Sequence, residues 1–462
     1  MTMDTLNLRA DYGFKGGYPL SETVDRAFDD LDLIRALQMY RAFYPTVSCA
    51  AMFKGNAEVG VLPNRSWGSM STLPRHVGFT LNSDTPYGGF LLELKAGPLV
   101  VELPPGLLLG AAMDMNQRWI ADLGIPGPDQ GRGGKHLFLP PSHDVSVPDG
   151  YFPCSSGTFR VLVGVRSIPE HGDMHAAVEV LKTVRVYHLN PSDPWPGLSW
   201  VDMTPMPQDT TPLACEDNLD FWRMLHEVVE AEPPFDGYRE HYGELAMLGI
   251  AKGLPFEPDD RMVGILARAA ELGCQQMRVQ SFADRRTDRI VWPDRKWEWA
   301  GLRFENGSFD TTDYTDTYAR EKWFFQAIAT SPAMFRRDAY AGSLYWLGLR
   351  DVTGAYLDGG ATYRLTVPLP VPSRLFWSVT VYDAETRSQI DTDQGAAALR
   401  SLFELKDLSG GSVDRISGRR NRRRTHHAAG YRQFRARAGS SISGSMALNR
   451  QPSMAAGDRM TL

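Results

Sequence analysis

Hydrophobic residues near the start of the chain recur three and four positions apart, which is the spacing of one face of an α-helix. Between residues 21 and 43 this face is formed by Leu31, Ile34, Leu37 and Tyr40. Pro45 follows, and a proline inside a helix removes a backbone N–H and clashes with the preceding turn. The pattern therefore predicts an N-terminal amphipathic helix that ends before Pro45.

From about residue 59 to residue 187 the pattern changes to short apolar runs separated by glycine and proline. Such runs are typical of an antiparallel β-sandwich or barrel, and the clearest are 98–103, 137–139 and 158–165. Helical spacing then returns in four stretches, 218–231, 238–253, 259–272 and 318–331. These four stretches predict helices that link two β regions.

Strand patterns resume at about residue 343, with strong runs at 361–367 and 375–381. The predicted fold class is α+β: two antiparallel β-sandwich (jelly-roll-like) domains joined by a helical linker, with an N-terminal helix and a disordered C-terminal tail. The predicted divisions are an N-terminal helical segment (1–48), a first sandwich (49–188), a helical linker region (189–342), a truncated second sandwich (343–413) and a basic tail (414–462).

The composition changes abruptly at about Asp414. Residues 415–462 contain eleven Arg, no Lys and one acidic residue, whereas the whole chain carries a net charge of −6. A basic run of this kind is one signature of an arm for nucleic acid. However, a change of reading frame near residues 413–415 converts the tail into an aromatic, alternating strand followed by a Gly/Pro turn. We therefore predict a frameshift, a disordered tail, and no nucleic-acid partner unless the tail is genuine.

At 462 residues the chain is long enough for two or three domains. Its first residues contain no apolar run typical of a signal peptide or a membrane span, so we expect a cytoplasmic protein with no membrane partner. The acidic body argues against nucleic acid. The four cysteines are far apart, which predicts buried thiols rather than a disulfide framework or a metal site; they are Cys49, Cys154, Cys215 and Cys274.

Three stretches carry distinctive motifs. Residues 82–87 read Asn-Ser-Asp-Thr-Pro-Tyr and precede Asp114 in a Met-Asp-Met element, residues 248–256 contain Leu-Gly-Ile and Gly-Leu-Pro-Phe, and residues 376–383 read Phe-Trp-Ser-Val-Thr-Val-Tyr-Asp. These motifs resemble those of two paired bacterial families, the domains of unknown function 1254 and 1214. The resemblance implies two β-sandwich domains joined by helices, and it implies no settled biochemical activity.

The first motif has two interpretations. In one interpretation the motif is structural, because Asp and Thr side chains commonly form hydrogen bonds with nearby backbone groups in turns. In the other, Asp84, Tyr87 and Asp114 are catalytic residues at the mouth of a sandwich, with Asp122 as the alternative to Asp114, and the two carboxylates perform acid–base chemistry. Asn82 and Thr85 then bind the ligand.

The strand at 375–383 also has two interpretations. Alternation places the hydroxyl groups of Ser378, Thr380 and Tyr382 on one face and Trp377 and Val379 on the other. The hydroxyl face either binds a ligand or covers a neighbouring helix while the other face lies in the core. The same alternatives apply to Arg118 and Trp119.

The sequence predicts no metal site and leaves the cofactor unknown. No HExxH, GxSxG or GxGxxG motif is present in a suitable context. Asp351 and Asp358 lie near glycines, where a β-hairpin explains them as well as a calcium site does.

Two functions remain open. The first is the binding of a carbohydrate or small polar ligand in a sandwich cleft by a possible homo-oligomer. The alternative is a cofactor-free or metal-assisted hydrolase that uses clustered carboxylates and a tyrosine. The choice between an enzyme and a binding protein is therefore not made by the sequence.

Overall fold

The computed structural model describes residues 12–74, 76, 79–142, 146–190, 197–206, 212–303, 308–335, 343–391, 395–407, 412–417 and 445–450. Within these ranges seven α-helices are α1 (Ser21–Glu58), α2 (Met174–Lys182), α3 (Asp220–Ala231), α4 (Arg239–Met247), α5 (Asp260–Phe282), α6 (Thr317–Gln326) and α7 (Pro332–Phe335). Helices α3 to α6 lie where the hydrophobic spacing predicts the helical linker. The α+β class is confirmed.

Helix α1 continues through Pro45 for a total of 38 residues, so the prediction that it ends there is wrong. An interior proline costs roughly 3 kcal/mol, but every residue from 43 to 51 is buried, and apolar burial offsets that cost. Two backbone carbonyls near the proline also have tertiary partners. The Arg320 guanidinium donates to Ala42 O at 3.0 Å, and the Gln117 amide donates to Pro45 O at 2.9 Å.

The first β region contains ten of the first twelve strands, after a short hairpin formed by β1 (Phe14–Lys15) and β2 (Tyr18–Pro19). The ten are β3 (Ser66–Met70), β4 (Tyr87–Glu93), β5 (Leu99–Leu103), β6 (Leu108–Asp114), β7 (Trp119–Gly124), β8 (Gly134–Leu139), β9 (Tyr151–Ser155), β10 (Arg160–Ser167), β11 (Arg185–His188) and β12 (Ser199–Asp202).

These ten strands form two sheets that share one core. The orders are β12-β3-β4-β10-β6-β7 and β11-β5-β8-β9. Phe90 and Val163 of the larger sheet and Val101 and Phe138 of the smaller sheet belong to the same buried cluster. The sheets are mixed rather than wholly antiparallel, because β12 pairs with β3, and β8 with β9, in parallel.

The helices pack around α1 and join the two β regions. Tyr40 of α1 lies directly against Gly273 of α5, where an added Cβ atom would lie 2.3 Å from the Tyr40 ring. The absence of a side chain at this position therefore lets the two helices approach closely. No helix in the described ranges combines the length and apolar character that crossing a membrane requires.

The second β region contains β13 (Trp297–Trp299), β14 (Ser343–Gly348), β15 (Thr362–Pro368), β16 (Ser373–Thr380), β17 (Ala398–Arg400), β18 (Ser412–Ser417) and β19 (Ser445–Arg450). Its main sheet has the order β13-β14-β19-β16-β17, and β15 pairs with β18. Trp297, Leu344, Trp377 and Val379 meet in its core. The Trp/Val face of β16 is therefore a core face, as one of the two interpretations of this strand predicts.

Two strands lie in the segment for which the sequence predicts a disordered tail. Strand β18 spans its start, and β19 lies between β14 and β16 in the main sheet. For these residues the backbone is extended and paired. The other residues of 414–462 lie outside the described ranges, and the frameshift remains a prediction.

Candidate functional site

A row of small residues crosses the larger sheet of the first β region. The strand registers place Gly68 opposite Gly89, Gly89 opposite Gly164, and Gly164 opposite Ala111. Asp122 on β7 ends the row, opposite Ala111. Paired residues of neighbouring strands lie on the same face of a sheet. The row therefore leaves a shallow trough across the face opposite the first core.

The glycines of the row are present for different reasons. A Cβ atom at Gly68 would lie 2.2 Å from the Met203 sulfur, so close packing excludes a side chain there. At Gly89 and Gly164 an added Cβ atom would have no heavy atom within 4 Å. Glycine inside a strand costs roughly 0.5–1 kcal/mol relative to alanine, so these two positions carry a cost and leave open space above the sheet.

That open space is a cavity of about 290 Å³ between the sheet and the second β region. Strands β14 and β16 and the segment from α6 to α7 cover it. The lining is mostly aliphatic, aromatic or glycine, with a minority of polar groups. Its principal members are Met70, Leu91, Leu109, Met113, Leu162, Ala327, Ile328, Met334, Leu347, Trp323, Phe79, Tyr87, Tyr345, Tyr382, Thr380, Ser343, Gln326, Asn82, Asp122 and Arg166.

The two most specific sequence motifs meet at the edge of this cavity. Ser378 Oγ of β16 donates to Asp84 Oδ2 at 2.6 Å. The backbone N–H of Asp84 donates to Asn82 Oδ1 at 3.1 Å, and the backbone N–H of Asn82 donates to the Tyr87 hydroxyl at 3.3 Å. Thr85 is fully buried. The motif is thus a turn that also binds the second β region.

Tyr382 and Thr380 lie on the same side of the interface. The Tyr382 hydroxyl donates to Thr80 O at 3.1 Å and to Leu81 O at 3.0 Å. Both Tyr382 and Thr380 line the cavity. The hydroxyl face of β16 therefore contacts the first β region and the cavity rather than only a neighbouring helix.

The buried charge of Asp84 affects the stability of this contact. Burial raises the pKa of Asp84 to about 6, although the Ser378 hydrogen bond and the charges of Arg400 and Arg166 act in the opposite direction. Because the folded state holds a proton that the unfolded state releases, stability is highest below about pH 4 and falls as the pH rises to about 6.

Asp84→Asn is expected to remove this pH dependence. Relative to the native protein, the unfolding free energy of the variant should increase by about 2 kcal/mol between pH 4 and pH 7, since the variant carries no buried charge. Denaturant unfolding at both pH values measures this difference. Parallel pH profiles for the two proteins would show that Asp84 is not a buried, protonated group.

The structure does not bring Asp114 to the same place. Leu109 pairs with Arg166, and Arg166 pairs with Tyr87, whereas Asp114 lies five residues further along β6, roughly 17 Å away. There its Oδ1 accepts hydrogen bonds from the backbone N–H groups of Asn116 at 2.7 Å and Arg118 at 3.0 Å. Asp114 therefore closes the hairpin between β6 and β7.

Arg118 and Trp119 lie at the same distant hairpin. The Arg118 guanidinium donates to Asp236 O at 3.2 Å and lies 5.0 Å from the Tyr238 ring centroid. Trp119 is 40% exposed. Neither residue lines the cavity, so the predicted ligand-binding residues fall into two separate groups.

Arg166 is a cavity residue that the sequence analysis does not identify. Its guanidinium carbon lies 5.6 Å from the Tyr87 ring centroid. Burial lowers the pKa of Arg166, but the nearby Tyr87, Tyr345 and Asp84 outweigh this effect, so its pKa is raised overall and it stays charged. The sequence marks this residue only as an arginine near the C-terminal end of the apolar strand 160–167.

The described residues contain no group of three His, Cys, Asp or Glu side chains that could hold a metal ion. Asp351 Oδ1 accepts hydrogen bonds from the Thr353 N–H at 2.9 Å and hydroxyl at 2.6 Å. Asp358 Oδ1 accepts from the Gly360 N–H at 2.6 Å. Both carboxylates therefore stabilise turns.

A buried ion pair joins the second β region to the helices beside the cavity. Arg387 Nη2 lies 2.7 Å and 2.9 Å from the two carboxylate oxygens of Glu216, and Arg387 Nη1 donates to Phe325 O at 3.0 Å. The guanidinium lies between the rings of Phe79 and Phe325, 4.1 Å from each centroid. This contact fixes the position of the turn that follows β16.

These features define a class of α+β protein in which two β regions, joined by helices, enclose a cavity at their interface. Residues 67–188 match the family described as protein of unknown function (DUF1254), and residues 342–429 match the family described as protein of unknown function (DUF1214). The chain is therefore similar to both families of the pair that its motifs resemble.

A solved structure supports the fold. The VPA0106 protein from Vibrio parahaemolyticus is similar with a TM-score of 0.54 and 16% identity, over 91% of this chain and 96% of that chain. A putative uncharacterized protein from Burkholderia cenocepacia has a TM-score of 0.33 and 11% identity, over 92% of this chain and 94% of that chain. None of the curated proteins compared with the chain matches it.

Proposed function

We propose that the protein binds a small, largely apolar molecule in the cavity between its two β regions. The observation that carries the proposal is the open space above Gly89 and Gly164, where the sheet has no side chains and the rest of the molecule leaves about 290 Å³. An apolar cavity of about 150 Å³ is already large enough to bind benzene. The volume therefore suits a ligand somewhat larger than one aromatic ring.

The chemistry of the lining favours an apolar ligand over the carbohydrate or small polar ligand that the sequence suggests. A buried sugar needs a hydrogen-bonding partner for each hydroxyl, because an unpaired buried polar group is costly. The wall is mainly methionine, leucine, alanine and aromatic side chains. Polar groups are a minority of the wall, and Tyr87 and Arg166 are among them.

A hydrolase that uses Asp84, Tyr87 and Asp114 has less support. Asp84 Oδ2 already accepts the Ser378 hydroxyl hydrogen bond, and Asp114 lies at the other end of the sheet. Two carboxylates that flank a reacting bond are normally less than about 10 Å apart. The binding function therefore agrees better with the geometry.

The test is a titration with neutral apolar probes of increasing size, such as benzyl alcohol, 1-octanol and 2-naphthol, followed by thermal and denaturant unfolding. Binding to the folded state should stabilise it by an amount that grows with the logarithm of the free probe concentration, and that reaches about 2.7 kcal/mol at one hundred times Kd. If none of the probes changes the stability, the cavity is not a binding site for apolar molecules.

A further inference from the structure

The one basic side chain among the described residues of the cavity wall is that of Arg166. Strand β10 places it on the cavity face, two residues beyond Gly164 and opposite Tyr87 of β4. The residue is half-buried, and it lines the cavity. Arg166 thus presents a charge at one end of a mainly apolar space.

No carboxylate of the described residues forms an ion pair with this guanidinium. The charge of Asp84 raises the pKa of Arg166, but Asp84 Oδ2 accepts its side-chain hydrogen bond from Ser378. Asp122, which also lines the cavity, lies on β7, two strands from β10. The partners of Arg166 on the described chain are therefore the tyrosines, which provide neutral hydroxyl groups.

A guanidinium partly removed from bulk water gains from a directly paired anion, and arginine presents paired N–H groups that match a carboxylate. We infer that the ligand of the proposed cavity is a small organic acid, whose carboxylate pairs with Arg166 and whose apolar body lies over Gly164 and Gly89. This inference rests on the proposed function, because it assigns a chemical class to the same ligand.

The charge of the cavity wall and the position of its apolar floor both favour a ligand with a single carboxylate. The described wall contributes one basic side chain, Arg166, and one carboxylate, Asp122, which lies two strands away, whereas a phosphate monoester carries nearly two negative charges at neutral pH. The hydroxyl groups of Tyr87 and Tyr345 lie beside the arginine and can donate to the second carboxylate oxygen. The apolar floor starts two residues away, at Gly164, so the ligand binds with its charged end toward Arg166.

The test compares 3-phenylpropionate with its neutral isostere 3-phenylpropionamide by isothermal titration calorimetry at pH 7.5. The native protein should bind the acid about 10- to 100-fold more tightly than the amide, which is the range expected for a hydrogen-bonded ion pair. In Arg166→Gln the affinity for the acid should fall to that for the amide, while the affinity for the amide stays within about threefold of the native value.

Arg185→Gln is the matched control, because Arg185 is an exposed arginine on the other sheet, and both affinities should stay unchanged. Equal affinities of the native protein for acid and amide would overturn the inference while leaving the proposed function intact. If neither compound nor any neutral probe binds, both the inference and the proposed function fail. The native acid–amide comparison decides the question even if Arg166→Gln does not fold.

Discussion

Replacing Gly164 with leucine should abolish ligand binding and leave the protein folded. The new side chain extends from the floor of the cavity into the space that the ligand needs. No heavy atom lies within 4 Å of the position of its Cβ atom, and the residue is in an ordinary strand conformation. Replacing an interior strand glycine also lowers the entropy of the unfolded chain, which favours folding by about 0.5–1 kcal/mol.

The measurement pairs calorimetric titration of the best neutral probe with thermal unfolding. Gly164→Ala is the matched control, because it adds only one methyl group and should keep most of the affinity. Gly89→Leu on the neighbouring strand should repeat the loss of binding. If Gly164→Leu binds the probe as tightly as the native protein, then the ligand occupies another part of the molecule.

Replacing Arg387 with methionine should destabilise the protein by about 3–5 kcal/mol, which is the range for removing one partner of a buried ion pair. Arg387 is 2% exposed and Glu216 is 4% exposed. Methionine fills part of the space between the two phenylalanine rings, but it leaves the Glu216 carboxylate buried with only the Tyr44 hydroxyl, at 2.8 Å, as a charge-stabilising partner. Denaturant unfolding at pH 7 measures the loss.

Arg278→Met is the matched control for this prediction. The Arg278 guanidinium donates to Ala384 O at 2.9 Å and to Glu385 O at 3.1 Å, in the same turn, but both hydrogen bonds are exposed. Its removal should cost less than about 1 kcal/mol. Similar losses for both variants would mean that the buried pair contributes no more than the exposed contacts.

Local patterns predict the strands and helices well because each pattern reflects one element at a time. The alternation in residues 375–383 predicts both β16 and the face that forms its core. Pro45 is the exception, since its local cost is outweighed by burial on all sides of α1. Helix propensity and proline geometry contain no information about how deeply a segment becomes buried.

The site is harder to predict because it depends on register and on contacts between distant residues. Asp84 and Ser378 are separated by 294 positions, and neither side chain indicates the other. Each glycine of the row, read alone, suggests a turn or bulge; only the pairing of β3, β4 and β10 aligns them. Arg166 reads as an ordinary strand-end charge until the second β region covers it.

Strand β19 has a consequence for the order of folding. It pairs Asn449 with Ser343, roughly a hundred positions earlier in the chain, and it separates β14 from β16. Non-local pairing is slow, because the entropy of closing a long loop is lost before the contacts form. We therefore expect the wall that carries Tyr345 and Thr380 to assemble late, so that the glycine row stays open to water until β19 joins the sheet and only the completed fold binds ligand.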